Sequence, residues 1–510
     1  MWGTDLLEAT ERRIVKPPLR LAAVLALVVV TPVATGARQA PEGDVFAFVR
    51  AFDDARVRQA WPGFNPTEWP IALFDGNRTI LLRHPSPPPE FVPLPGQPGV
   101  LVMPGRHPAV VGNSTREIGG VRTATVVATP GQSVANTMLA CVEEVFHVFW
   151  LRRHTNFRPN EMARYSYPVK DVENLQRILE EDDALARALE ADSQSQAAGW
   201  AAAMFTIRRD RLLRLSDDDR AFETGLEMME GTANYVARVA VGQKREATAA
   251  RLRDEWPPDQ IRWRFYNTGT ALCFLLDRFQ PDWKARIDRE LERTTADLLE
   301  AAIARANAQP AAFAATEVLC FKEKAAGGIA ALATRQRAAR EELVGRGGPR
   351  VVVEVAGTAE PLRVTRFDPI NLFVLDGGEV IHPNYITFTG PGGTVELTNP
   401  GFARGSFAGT VVLTRAAGRH PIGDGIRELT IVGLRGTPRV DRREGRLTIE
   451  AEGLRISLQD ANVRTEGETL RIRVAPPVSA PRASTSSWPA STTPCGCARG
   501  QAGSACCSTA

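Results

Sequence analysis

Cys141–Trp150 reads CVEEVFHVFW, with Glu143, Glu144 and His147 set among Val142, Val145, Phe146, Val148 and Phe149. Gly131 and Ser133 offer a helix start, and neither Pro nor Gly interrupts from there to His154. Residues four apart on a helix share a face. Glu143 and His147 therefore point the same way, with Asn136, Ala140 and Trp150 nearby and Glu144 alongside. So little of the circumference is polar that the helix should be buried. Buried carboxylates without a partner are costly or take up protons, so a positive charge should stand opposite.

A second acidic segment, AFETGLEMMEGTANYVARVA from Ala221, adds to the problem. Glu223, Glu227 and Glu230 follow helical spacing, Met228, Met229 and Val236 are apolar, and Gly231 and Ala233 would let another helix come close. Two buried acidic helices facing each other would repel. A bound divalent cation resolves the conflict, and so would arginines such as Arg152, Arg208 or Arg211.

The two segments together resemble a known pattern. E-E-V-F-H-V-F at 143–149 is similar to the H-E-x-x-H helix of zinc metallopeptidases, and E-x-x-E-G-x-A-x-Y at 227–235 resembles the downstream helix of their gluzincin group. The resemblance implies His147 and Glu230 as metal ligands and Glu144 as general base. It implies Zn²⁺ as cofactor and a peptide or protein as substrate. RFYNTGTALCFLLDRF, from Arg264, resembles the tyrosine-containing helix that follows in such enzymes, and Tyr235 or Tyr266 would then meet the developing oxyanion.

The sequence departs from the family where the first histidine ligand belongs, because Glu143 stands there. With Glu143 as ligand the set is one imidazole and two carboxylates. Two anionic ligands make bound water less acidic, and the oxygen-rich set favours Mn²⁺ or Fe²⁺ relative to zinc. A histidine at 143 should then tighten zinc binding. The alternative is a catalytically inactive, peptidase-like binding or structural protein.

Around this core the chain divides by composition. Leu21 to Val30 is an unbroken apolar run behind Arg12, Arg13, Lys16 and Arg20, followed by VATGA, so residues 1–37 read as a signal peptide or signal anchor and the protein as exported. The run is shorter than the roughly 20 residues of a membrane span, though anchoring through it stays open. Residues 44–129 read as a mixed α/β portion of the peptidase-like domain. In it DVFAFVRAFDDARVRQAW is a helix, Asp75-Gly76-Asn77 joins two strands, VRTATVVAT is a strand, and HPSPPPEFVPLPGQPG is a loop.

Residues 130–345 read as helices, and 349–476 as strands of a β-sandwich-like domain. Residues 477–510, which hold Cys495, Cys497, Cys506 and Cys507, read as a disordered tail. The fold class expected is α+β. With 62 basic and 59 acidic residues, the charge balance gives no support for nucleic-acid binding. His84, His107, His382 and His420 fall near Pro or Gly in expected loops, and His154 at a solvated helix end.

Overall fold

A computed structural model describes Phe52 and residues 59–128, 132–369, 371–390, 392–399 and 409–474. The expected signal or anchor, most of the helix before Trp61 and the cysteine-rich tail lie outside the described residues. No helix among the described residues is long and apolar enough to cross a membrane.

The chain is mixed α and β. Strands β1 (Ile71–Phe74), β2 (Arg78–Leu82), β3 (Val92–Pro93), β4 (Val100–Pro104), β5 (Ser114–Ile118) and β6 (Val121–Val127) form one sheet in the order β3-β4-β2-β1-β6-β5. Asp75 makes the β1–β2 turn by accepting the Asn77 and Arg78 amides, while Gly76 takes φ +101°. The Pro-rich stretch is mostly irregular, but it contributes β3 at the sheet edge. That is where a residue without an N–H can be tolerated. Alternation along the strands splits the sheet into two faces. Ile71, Leu73, Ile80 and Leu82 face the helices, whereas Ala72 and Leu81 pack with Phe91, Val110 and Ile118.

The helices are α1 (Val134–Trp150), α2 (Val172–Glu190), α3 (Gln194–Leu212), α4 (Asp217–Leu226), α5 (Thr232–Ala240), α6 (Arg245–Leu252), α7 (Ile261–Phe279), α8 (Trp283–Ile287), α9 (Thr295–Arg305) and α10 (Ala315–Gly345). Ser133, Asp171, Ser193, Ser216 and Thr294 cap α1, α2, α3, α4 and α9 by accepting backbone N–H groups. Asp217, Asp218 and Asp219 form the first turn of α4, where the helix dipole favours negative charge. The apolar side of α1 meets the sheet and an aromatic cluster. Trp61 packs edge-on against Phe146, Trp150 and Trp283 at 5.4, 5.5 and 5.2 Å between centroids.

Beyond α10 the chain is all β. One sheet runs Ala461–Glu466, Thr469–Val474, Arg350–Val355, Ile426–Val432, Val411–Ala416, Glu379–His382 and Phe373–Val374. The other runs Arg439–Arg443, Arg446–Ala451, Leu454–Gln459, Gly393–Thr398, Tyr385–Gly390 and Arg363–Phe367. Val351, Val353, Leu429 and Ile431 of the first share one core with Ile386, Phe388, Val395 and Ile456 of the second, so the two sheets form a sandwich. Arg340 of α10 reaches Glu379 of the sandwich at 2.5 Å and ties the two units together.

Candidate metal centre

Helix α1 presents its polar stripe to α5 and to Glu230 in the segment that joins α4 and α5. That segment, Glu227–Gly231, is a π-turn. Its i→i+5 bonds advance the chain less per residue than α-helical ones. Glu230 is therefore carried round, away from the face that Glu223 and Glu227 occupy, and is turned toward α1.

The result is two separate acidic sites. Glu223 and Glu227 belong to a buried arginine network. Arg208 grips Glu227 with two bonds of 3.0 and 2.8 Å, Arg211 bonds Glu181 and Glu223, and Arg264 bonds Asp182 and Glu181. Arg208 and Arg211 thus answer the acidic helix on this side. Arg152 does not take part, since its guanidinium lies over the Trp69 ring at 4.2 Å.

Glu230 goes to the other site. Its Oε2 lies 3.1 Å from His147 Nε2, and its Oε1 accepts from Arg262 Nη2 at 2.8 Å. One ligand atom each from Glu143, His147 and Glu230 lie within 4.8 Å of one another. His147 and Glu230 are buried, 8% and 6% exposed, while Glu143 and Glu144 are partly open to solvent. The structure thus brings together three residues proposed as ligands, with Glu144 beside them on α1.

The electrostatics follow from crowding. Burial pushes Glu143 up to about 7 and Glu144 up to about 8, with neighbouring carboxylates adding to the shift. Burial also acts on His147, pulling it down, but the charge and hydrogen bond of Glu230 outweigh it and raise the ring to about 9. Glu230 resists its own burial through His147 and Arg262 and falls to about 2.

An imidazolium here is not well served. Its Nδ1 is buried with no hydrogen-bond partner, a donor left unanswered at about 1–3 kcal/mol both in the charged ring and in a neutral ring that ligates through Nε2. Each candidate carboxylate ligand has one oxygen already held. Arg262 takes one oxygen of Glu230, and Asn234 Nδ2 donates to Oε2 of Glu143 at 3.3 Å. Such outer contacts are what fix a ligand's remaining lone pairs. One imidazole, two braced carboxylates and a third carboxylate nearby are donor types that suit a divalent cation.

The tyrosines separate. Tyr266, one turn beyond Arg262 on α7, contributes its hydroxyl to the Arg262–Glu230 cluster, and burial raises its pKa well above the usual phenol value. Tyr235 is not at the site. It lies one residue, about 100° of helix, past Asn234, and its hydroxyl donates to Asp277 at 2.7 Å amid Phe274 and Trp283.

Of the other histidines, His84, His107 and His420 lie in irregular segments as expected, while His154 and His382 sit differently. His154 is not solvated: it is 3% exposed, stacked on Trp150 and bonded to Asp288. His382 is buried within a strand, with its ring 3.2 Å from the Thr414 hydroxyl, and His84 is buried against the Ile118 carbonyl. His107 pairs with Glu90, and His420 meets the Met162 carbonyl.

Sequence reasoning passed over Arg262, its second carboxylate partner Glu161 at 3.1 Å, Asn234, and Arg238, which holds Asn234. Arg262 stands one turn before Tyr266, and Asn234 one turn after Glu230, so helical spacing alone would have found both. A cavity of about 560 Å³ between the helices and the sandwich, lined by Arg164, Lys170, Leu372 and Asp376 among others, includes none of the candidate ligands. It is a separate feature.

Comparison with family models, with curated proteins and with solved structures gives no match.

Proposed function

We propose that this chain is an exported, metal-dependent hydrolase of gluzincin-like kind acting on peptide bonds. The observation that carries the reading is the convergence of His147, Glu143 and Glu230 within 4.8 Å, with Glu144 alongside on the same helix. The order of the motifs, E-E-V-F-H and then E-x-x-E-G-x-A-x-Y, supports the peptidase class.

His147, Glu230 and Glu143 would hold the ion. A divalent cation, when bound, polarises a substrate carbonyl and makes water a stronger acid. Glu144, partly open to solvent and beside the candidate ligands Glu143 and His147 on the same helix, would take the proton from water and return it to a leaving amine. Arg262 and the Tyr266 hydroxyl hold Glu230 and keep positive charge and a donor at the site's edge. Two carboxylates and one imidazole favour Mn²⁺ or Fe²⁺ over zinc, though zinc remains within the range of such a set.

One observation favours a second reading, in which the site is an inactive remnant. Arg262 already meets Glu230, and His147 touches it directly, so a cation-free cluster closes part of its own charge. Metal analysis of purified protein separates the two. The hydrolase reading expects near-stoichiometric divalent metal, lost in His147→Ala and in Glu230→Ala. A wild-type protein that takes up neither manganese nor zinc would leave the remnant.

A further inference from the structure

Position 143 does not act alone, because the group behind it has a fixed polarity. Arg238 Nε donates to Asn234 Oδ1 at 2.6 Å, and the Thr270 hydroxyl lies 3.3 Å from the same oxygen. A guanidinium can only donate, so the atom of Asn234 that faces it must be the carbonyl oxygen. The amide is locked, and its NH₂ is turned toward Glu143 at 3.3 Å.

We infer that Asn234, held by Arg238, is the positioning residue that matches the site to a carboxylate at 143 and so to an oxygen-rich, harder divalent cation. This rests on the metal-site reading above. An amide NH₂ suits a carboxylate, which only accepts. It is wrong for a metal-binding imidazole, whose second ring nitrogen keeps its hydrogen and needs an acceptor behind it. With histidine at 143, two donors would face each other in a partly buried place. Arg238 prevents the simple remedy of an amide flip, since that would set the Asn234 NH₂ against the guanidinium. The substitution that sequence alone recommends, Glu143→His, is therefore incomplete. It needs Asn234→Asp, which supplies the acceptor and leaves Arg238 with a carboxylate partner.

The test is zinc and manganese affinity, read by competition with a chromophoric chelator, for wild type, Glu143→His, Asn234→Asp and the double variant. Outer-ligand contacts are typically worth about 10–100-fold in metal affinity. The double variant should bind zinc about 10–100-fold more tightly than Glu143→His alone. Asn234→Asp alone, which replaces the donor to Glu143 with a second carboxylate, should weaken manganese binding. Glu143→His with Asn234→Ala, which removes the opposing donor without adding an acceptor, should fall between the single and double variants and guards against a fold defect specific to aspartate. Zinc binding by Glu143→His equal to that of the double variant overturns the inference, as does a double variant that binds no zinc. Failure of the wild type to bind any divalent ion, while the double variant binds zinc and the single does not, counts against the native metal site but upholds the pairing.

Discussion

Gly231 and Gly269 meet backbone to backbone, so that a methyl group on Gly231 would fall 2.5 Å from the Gly269 Cα and 2.9 Å from its carbonyl carbon. This contact sets the distance between the Glu230 turn and α7. Arg262 and Tyr266 stand on the same helix as Gly269, so the crossing that brings them to Glu230 depends on two missing side chains.

Gly231→Ala should accordingly destabilise the fold by at least ~2 kcal/mol, since the clash is with main chain that cannot rotate away. It should also weaken metal binding, because Glu230 is the neighbouring residue. Gly327→Ala is the control. Gly327 lies exposed in α10 with nothing near its missing Cβ, and alanine there should stabilise by about 0.5–1 kcal/mol. Thermal melts of the two variants should shift in opposite directions.

Glu144→Gln separates chemistry from ligation. Glu144 is outside the trio whose ligand atoms converge, and it makes no ion pair among the described residues. If it moves the proton, the glutamine variant should keep its metal and its melting temperature while peptide hydrolysis falls by about 10²–10⁴-fold. Loss of the metal along with the activity would make Glu144 a ligand instead.

How much of this site could be read from the chain depends on the range of each signal. Glu143 and His147 are one helical turn apart, so period alone put them on one face. Gly231 carried a legible message too, because a glycine in a helical pattern marks close approach. The hairpin at Asp75-Gly76-Asn77 is equally local. Partners brought in from far along the chain were not legible: His154 is buried because Asp288, distant in sequence, waits for its ring. Nor does any residue type announce a π-turn, and it is this turn that divides Glu230 from Glu227. Helical spacing grouped Glu223, Glu227 and Glu230 as one cluster, whereas the structure gives two to the arginine network and the third to α1.

That network is where the helical region should be most sensitive to a single charge. Arg211 has a side chain with no exposure and bonds Glu181, Glu223 and the Tyr167 hydroxyl. Arg211→Met would strand Glu223 without its guanidinium, and breaking a buried pair in this way costs about 3–5 kcal/mol. Arg214, which pairs with Glu173 at 2.6 Å but with both side chains about half exposed, offers the contrast. Arg214→Ala should change stability by about 0–1 kcal/mol, and comparable losses in the two variants would mean the buried cluster is not a cooperative unit.

The same network predicts an acid limb, and the sign depends on which carboxylate titrates. Burial alone would raise Glu181, but Arg211, Arg264 and Arg208 outweigh it and hold it at about 2. Its contribution is present above the unfolded value near 4.5 and is lost as pH falls from there toward 2. A shift of that size corresponds to about 3 kcal/mol at most. Glu223 is lowered as well, against its burial, by Arg211, and adds to the loss. Asp182 runs the other way: burial outweighs Arg264 and lifts it to about 6, so the folded state takes its proton first and gains stability as pH falls from about 6 to 4. Melting temperature should therefore hold or rise between pH 6 and 4.5 and then drop steeply below 4. Glu181→Gln should start lower and lose much of that drop. A wild-type melting temperature that stays level down to pH 3 would mean that the arginines do not hold Glu181 ionised.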